Sequence, residues 1–486
     1  MRKPFSWQRR LDGCSVLDVE LNFECRDEIV PILRSLQHIY SEPELRDGIL
    51  DLVAADVNRD SRGDCGREGL DYWEVLVLGA VRLGCNFDYD TLQDLAENHR
   101  KLRSIMGVGE WDEKTSFSWR RIRDNVSLLK PETISAINDL IVAEGHRLVP
   151  GAAEQTRADS FVMATNIHYP TESTLIRDGI RKILELCVGL AEAHDVAGWR
   201  QHAHLWKQVK RSSREIERIA AKKGPHYERR LQTAYRKLLK QSRKVVQRAR
   251  ALCEELMLPA ATEDDIFGEH TLQAFIARTE RVQDTARRRV LEGESVPNGE
   301  KLFSMFEPHT QLYKRGKAGE PIQFGRLAMV FEDRAGFITH HHLLARDQGD
   351  KDVVVEQTRI VQERLGGRIK RASFDRGFHS PENQEQLSAI VSCVCLPKPG
   401  KKQSAEQELT ASVEFRQARQ RHPGVESAIG ALQSGNGLER CRDRTELGYE
   451  RYLALGVLGR NLHTLGRVLI AAEHPRSEAA TTRRAA

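Results

Sequence analysis

Two aspartates lie in strand-like stretches of this chain and could take part in metal-dependent chemistry. Asp159 lies in RADSFVMATN, and Asp375 ends the stretch IKRASFD. If the two strands lie side by side and parallel, their carboxylates converge at the same edge of a sheet. Glu426, on the predicted helix HPGVESAIGAL, could add a third carboxylate. Three such groups bind hard cations such as Mg²⁺ or Mn²⁺, and two bound ions can promote phosphodiester displacement.

The spacing of these acids alone does not single them out, because the chain contains 70 aspartates and glutamates. A strand-terminal aspartate also often serves in a turn or a helix cap. Glu439 follows Glu426 closely, but the nearby glycines place it in a loop. Asp333, in FEDRAG, is predicted to belong to a hairpin turn. Glu172 and Asp178 could support the site or could be solvated helix positions.

Other polar residues near these blocks have both a functional and a structural interpretation. Arg376 and His379 could hold DNA oxygens, or they could pair with a carboxylate and help to cap the helix that starts after Ser380. Three consecutive histidines, 340–342, resemble a metal tract, but alternate strand residues face opposite sides of a sheet. Asn461 lies on an apolar helix, where a packed, hydrogen-bonded role is at least as good an explanation as a functional one.

The first 150 residues are predicted to be all-helical, because apolar residues recur at three- and four-residue spacing. One short helix, in FSWRRIRDNVSLL, carries Arg120, Arg121 and Arg123 beside Trp119. Several short helices that end in an arginine-rich one suggest a DNA-binding region of the helix-turn-helix type. The alternative is a helical dimerisation domain with a solvated basic face.

The remainder of the chain is predicted to be α/β, with a helical insertion after its first strand. Strand patterns appear near residue 156 and return after residue 300, where a β-hairpin flanks the turn at 333–336. The region between them is helical. Its residues Leu231, Leu238, Val245 and Leu252 fall seven apart, which predicts a helical hairpin with a coiled-coil-like seam.

This hairpin is strongly basic. Residues 200–250 contain 17 lysines and arginines and three acids, a net charge of +14 in a chain whose total is only +5. Because so few acids balance the charge, DNA phosphates are the favoured partner over a merely solvated surface. The predicted contacts are Lys237, Lys240, Arg243 and Lys244. The apolar seam could pack within the hairpin or against another protomer.

The composition and the absence of certain motifs limit the class of protein to which this chain can belong. The chain has 486 residues, 30% of them charged, which suits a multidomain globular protein. No apolar run approaches a membrane span and no signal peptide is visible, and the nine cysteines are scattered; these features together predict a cytoplasmic protein. The chain contains no GxxxxGK[ST] loop, so a nucleotide cofactor is not expected.

Four blocks of the sequence resemble DDE-type insertion-sequence transposases, especially the ISNCY-like group. They occur in the family's order over roughly residues 155–470. The blocks are DSFVMATNIHYPTESTLIRDGIRKI, KLFSMFEPHTQLYKRGKAGEPIQFGRLAMVFEDRAGFI, FDRGFHSPEN, and GVESAIGALQSGNGLERCRDR followed by RYLALGVLGRNLHTLG. By this resemblance Asp159, Asp375 and Glu426 occupy the catalytic D, D and E positions.

The resemblance implies an RNase H-like mixed sheet core and an enzyme that binds two Mg²⁺, with Mn²⁺ as a substitute. It implies binding to terminal inverted repeats, cleavage of the DNA ends, and joining of the freed 3′-hydroxyl to target DNA. The enzyme would act as a homo-oligomer in a bacterial cytoplasm and would be associated with the nucleoid when it is bound to DNA. The alternative is a catalytically inactive transposase relic that binds DNA as a repressor. The expected divisions are a helical DNA-binding region (1–150), the first core strand (151–175), the basic insertion (176–300), the rest of the core (301–472) and a disordered tail (473–486).

Overall fold

The structure is a computed structural model, and it describes residues 3–5, 13–59, 69–112, 114–256, 263–314 and 322–473. It is a largely helical α/β protein with one mixed, open sheet. Among the described residues, no helix combines the length and the apolar character that crossing a membrane would require. The predicted tail lies outside the described residues from position 474 onwards.

The helices are α1 Ile29–Ser41, α2 Pro43–Val57, α3 Tyr72–Gly84, α4 Tyr89–Asn98, α5 Arg100–Ile105, α6 Trp119–Val126, α7 Pro131–Leu148, α8 Glu172–Ala193, α9 His202–Lys222, α10 Tyr227–Leu256, α11 Glu263–Ala286, α12 Asp350–Arg364, α13 Pro381–Ile390, α14 Lys401–Thr410, α15 Val413–Arg421, α16 Gly424–Gly430 and α17 Glu446–Glu473. The strands are β1 Gln155–Thr165, β2 Gln311–Lys314, β3 Ile322–Asp333, β4 Ile338–Leu343, β5 Arg371–Phe374, β6 Cys393–Cys395 and β7 Arg440–Cys441.

The chain divides into two compact units. The first contains residues 1–164 and 327–486, and the second contains residues 165–326. The second unit therefore interrupts the first in sequence, between β1 and most of β3. The predicted insertion, 176–300, falls inside this second unit.

The sheet of the first unit has the order β3-β1-β5-β6, with β4 paired to β3 and β7 paired to β1. Strands β1, β5 and β6 run parallel. Strand β4 is antiparallel to β3, which confirms the predicted hairpin. Buried apolar side chains such as Phe161, Met163 and Val330 belong to the same core as helices α1–α7 and α17.

Helix α17 is the central helix of the first unit, and it contacts α1, α3 and α7. Apolar residues occur on all of its sides, as expected of a helix surrounded by protein. Glycine allows its closest approach to α3, because a Cβ added at Gly459 would lie 2.6 Å from the Gly84 backbone nitrogen.

The second unit consists mainly of a bundle formed by α8, α9, α10 and α11. Helices α9 and α10 form the predicted hairpin. Leu238, Val245 and Leu252 of the predicted seam are buried, whereas Leu231 is half-buried. Because α10 also contacts α8 and α11, the seam packs inside the bundle of its own chain. Strand β2 pairs antiparallel with the first residues of β3, 322–325.

Helices α14 and α15 were not predicted from the sequence. None of their residues is fully buried, so the apolar periodicity that indicates an amphipathic helix is weak in this segment. Helix α15 contacts β5 and β6 and leads directly to α16. It therefore links the sheet to the segment that carries Glu426.

Candidate functional site

Asp159 and Asp375 lie at equivalent positions on neighbouring parallel strands. Ala158 is paired with Phe374, and each aspartate directly follows this pair: Asp159 lies within β1, and Asp375 comes just after the end of β5. Strand β5 ends at Phe374, and the chain then enters a 3₁₀ turn at Arg376–Phe378. The condition set by the sequence analysis, two parallel adjacent strands, is therefore met. Both aspartates are partly exposed, and the Asp159 Oδ1 accepts a hydrogen bond from the Ser160 backbone nitrogen at 2.7 Å.

Arg157 connects β1 to two other parts of the first unit. It lies two residues before Asp159 and so faces the same side of the sheet. Its Nε donates to Glu332 Oε2 of β3 at 2.5 Å, and one of its terminal nitrogens donates to the Arg421 carbonyl oxygen at 3.0 Å. Burial raises the pKa of Glu332, and the neighbouring Arg157 guanidinium acts in the opposite direction. Arg157 thereby joins the aspartate-bearing strand to the segment just before α16.

Glu426 lies in the first turn of α16 and is exposed. The following apolar positions anchor this helix, and Val425 beside it is fully buried. Gly424, the first residue of α16, packs directly against the Arg157 guanidinium, since an added Cβ would lie 2.1 Å from one of its nitrogens. The start of the Glu426 helix is therefore fixed against the same strand that carries Asp159.

His422 is a buried residue of this region that the sequence analysis did not single out. Its Nδ1 lies 3.2 Å from the Ser373 hydroxyl of β5, two residues before Asp375. Burial lowers the pKa of His422 to about 4, although the Asp375 carboxylate acts in the opposite direction. The imidazole is therefore neutral at pH 7. Its position four residues before Glu426 was the available signal, but any helix-flanking histidine would give the same one.

The three acids do not form a preformed cage in this structure. Across the part of the chain that the structure describes, no three His, Cys, Asp or Glu side chains are arranged to hold a metal ion. The donor chemistry of Asp159, Asp375 and Glu426 nevertheless suits a hard divalent cation, because all three supply carboxylate oxygens. The structure places two of these acids in register and attaches the third to the same strand through Arg157.

Arg376 and His379, which follow Asp375, have few contacts that require their side chains for the fold. Arg376 is exposed and forms no ion pair with any residue in the described ranges. His379 is partly buried, and its pKa is lowered by burial and by the nearby Lys398 and Lys351. The cap of α13 is made by Ser380, whose hydroxyl accepts from the Asn383 backbone nitrogen at 3.0 Å. The cap therefore does not require the His379 side chain.

The acids that compete with these three for a catalytic role lie in turns or form ion pairs. Glu439 lies in a turn before β7, and its carbonyl oxygen accepts from the Ala164 nitrogen. The Asp333 Oδ1 accepts from two backbone nitrogens of the hairpin turn, and its Oδ2 lies 2.7 Å from His146 Nε2. Both observations agree with the loop and turn positions predicted for them. In the second unit, Glu172 pairs with Arg289, and Asp178 lies 3.7 Å from Arg177.

The histidine tract and Asn461 also have structural partners. His340 Nε2 lies 2.8 Å from Gln357 Oε1, and burial lowers the pKa of His340 to about 3. Asn461 is completely buried, and its side chain accepts from the Ile338 nitrogen and donates to the Ile338 oxygen. Asn461 therefore ties α17 to β4, as the packed interpretation expects.

The predicted DNA-contacting arginines of α6 differ in their surroundings. The guanidinium carbons of Arg120 and Arg123 each lie 5.1 Å from the centre of the Trp119 ring, and both residues are exposed. Arg123 also pairs with Asp124 at 2.7 Å. Arg121 is partly buried and donates to backbone oxygens of its own unit. Arg120 is the residue of this set with the least competition for an added phosphate.

Helix α10 presents a basic surface within the second unit. Lys240, Arg243 and Lys244 are exposed and form no ion pair with the described residues, whereas Lys237 pairs with Glu215 at 3.1 Å. The three unpaired side chains border a groove of about 450 Å³ that also includes Arg236. Like charges one helical turn apart repel each other, so this surface favours an anionic partner.

Comparison of the chain with protein-family models, with curated proteins and with solved structures finds no match.

Proposed function

We propose that this chain is a DDE-type transposase of the ISNCY-like group, with Asp159, Asp375 and Glu426 as its catalytic acids. The register of β1 and β5 is the observation that carries the proposal, because it brings two aspartates separated by 216 residues to equivalent positions on adjacent strands. The mixed sheet, with an antiparallel hairpin on one side of β1 and parallel strands on the other, supports the RNase H-like core that the resemblance implies.

In this proposal the three acids bind two Mg²⁺, or Mn²⁺ as a substitute. When bound, the ions would activate the attacking oxygen and stabilise the leaving oxygen. Asp159 and Asp375 supply ligands from the sheet, and Glu426 supplies one from α16. Arg157 holds the β1 strand and the start of α16 together.

The reaction sequence uses the same acids twice. Water first attacks the phosphodiester at the terminal inverted repeat and releases a 3′-hydroxyl. This hydroxyl then attacks target DNA and forms a new phosphodiester bond while an existing one breaks. Arg376 and His379 are proposed to contact phosphate oxygens beside the reacting group.

DNA would be held mainly outside the three acids. The helical N-terminal region, of the helix-turn-helix type, would contact double-stranded DNA through Arg120, Arg121 and Arg123. The basic surface of α10 would add Lys237, Lys240, Arg243 and Lys244. Holding two transposon ends requires a homo-oligomer, and such an enzyme would act on the bacterial nucleoid.

The test is a strand-cleavage and joining assay with the chain, Mg²⁺ and DNA that carries the inverted repeats flanking its reading frame. We expect Asp159→Asn, Asp375→Asn and Glu426→Gln each to abolish cleaved and joined products while repeat binding persists. These substitutions keep the size of the side chain and remove its charge. Glu439→Gln is the matched control, because this exposed acid lies in a turn near the end of the same sheet, and its variant should cleave normally.

The outcomes separate the two candidate functions. Binding to the repeats without metal-dependent cleavage would identify a DNA-binding relic acting as a repressor. Cleavage by any of the three acid variants would remove that residue from the catalytic set.

A further inference from the structure

A cavity of about 260 Å³ opens at the beginning of β1 and β5, beside the aspartates rather than around them. Pockets for drug-sized ligands are usually roughly 300–1,000 Å³, so this one suits a smaller group. Residues at the starts of the two strands, the end of β3 and the end of α15 form its walls. All of these residues belong to the first unit.

Four arginines line this cavity: Arg157, Arg334, Arg371 and Arg421. Arg157 is neutralised by Glu332. Arg421 donates to the uncharged Gln155 amide oxygen at 2.9 Å. Within the described ranges, the side chains of Arg334 and Arg371 form no hydrogen bond or ion pair.

The acids around the cavity are already engaged. The Asp333 carboxylate bonds to His146 and to two backbone nitrogens of its turn. Glu154 pairs with Lys370 at 2.6 Å, and this pairing is the main reason that the pKa of Glu154 is lowered. Arg371 and Arg334 add smaller effects in the same direction without forming an ion pair with Glu154. The pKa of the exposed Glu414 is lowered mainly by a hydrogen bond with its own backbone, and Arg371 adds to this effect without forming an ion pair with Glu414. Three guanidinium groups therefore lack a direct carboxylate partner.

We infer that this cavity is a binding site for a phosphate group. Guanidinium groups are planar, permanently charged and able to bind phosphate through two parallel hydrogen bonds. The two hydroxyls in the cavity wall already have partners, because the Thr156 hydroxyl donates to the Glu332 carbonyl oxygen at 3.3 Å and the Ser373 hydroxyl lies 3.2 Å from His422 Nδ1. The guanidinium groups would therefore provide the main contacts with the phosphate. The phosphate could belong to a polynucleotide or to a free ion, and the site does not depend on the proposed cleavage reaction.

The site can be tested by titrating the full chain with inorganic phosphate and, separately, with a 5′-phosphorylated dinucleotide in a calorimeter. We expect the double variant Arg334→Ala/Arg371→Ala to bind at least tenfold more weakly than the natural chain. Arg359→Ala is the control, because this exposed arginine lies on α12 outside the cavity, and it should bind normally. Circular dichroism would show that the variants keep their helices.

The two ligands identify the source of the phosphate. Tighter binding of the dinucleotide than of phosphate, lost in the double variant, would support a site for nucleic acid. Equal binding of both, again lost in the double variant, would support a free-phosphate site. If neither ligand binds the natural chain, or if the double variant binds the ligands as tightly as the natural chain does, the inference is overturned. A chain that binds phosphate but does not cleave DNA would contradict only the proposed function.

Discussion

Replacing Gly424 by alanine tests whether Arg157 fixes the start of α16. The added Cβ would lie 2.1 Å from one guanidinium nitrogen and 2.7 Å from the guanidinium carbon. Non-bonded heavy atoms prefer roughly 3.5 Å or more, so the two groups must separate by about 1.4 Å. Arg157 cannot move that far without straining its bonds to Glu332 and to the Arg421 carbonyl oxygen.

The expected cost is about 2 kcal/mol in the free energy of unfolding. Overpacking typically costs about 1–3 kcal/mol. Loss of a hydrogen bond to a charged group costs about 1.5–3 kcal/mol, and the 27% exposure of the Arg157 side chain reduces that contribution. Gly430→Ala is the matched control in the same helix, because no atom lies within 4 Å of its added Cβ. We expect this control to be neutral or slightly stabilising, since alanine favours helix.

Urea unfolding followed by circular dichroism measures both variants. A double-mutant cycle then assigns the cause. In an Arg157→Ala background the clash no longer exists, so Gly424→Ala should change stability by less than about 0.5 kcal/mol, the usual limit for independent sites. Equal stability of the Gly424 and Gly430 variants would refute the reasoning. A full penalty that persists without the arginine would refute it as well.

Two further predictions concern charge. Replacing Lys240, Arg243 and Lys244 together by alanine should make DNA binding less sensitive to salt, and the slope of log K against log salt should fall by about 2.7 if each side chain contacts one phosphate. Arg250→Ala is the control and should change the slope little, because the Arg250 guanidinium pairs with Glu280. If the triple variant and the control changed the slope equally, the result would argue against DNA binding by the α10 surface. His340 has a folded pKa of about 3 because it is buried, whereas its unfolded pKa is about 6.5. The unfolded chain therefore takes up this proton first as the pH falls, and the free energy of unfolding should decrease from about pH 6.5 towards pH 3. In urea titrations across this range, His340→Gln should show a shallower decrease in stability. The same decrease in the variant and in the natural chain would contradict a lowered pKa of His340.

The sequence was sufficient for the elements whose patterns are local. The seven-residue spacing predicted the α9–α10 hairpin, and the turn around Asp333 predicted the β3–β4 hairpin. The partner of the hairpin seam could not be predicted, because an apolar stripe is the same whether it faces its own chain or another. The structure resolves this question for the described residues by packing Leu238 and Val245 inside the bundle of the second unit.

Polar contacts between distant segments were beyond the sequence. Nothing local in Asn461 shows that its amide will bond both backbone groups of Ile338, 123 residues away. The same holds for Arg157 and Glu332, which are separated by 175 residues. Such pairs depend on which strands become neighbours and in which register, and a one-residue slip would turn each side chain to the opposite face.

The long interval between Asp159 and Asp375 is not an obstacle to a common site. Most of it is occupied by the second unit, which has its own buried core and so does not behave as a flexible loop. Even for a flexible connection, the entropy of closure grows only with the logarithm of its length. The position of the two acids is therefore set by the four residue pairs that join the first residues of β1 to β5. A change that shifts this pairing by one residue would separate the aspartates, whereas changes in the length of the second unit should leave them together.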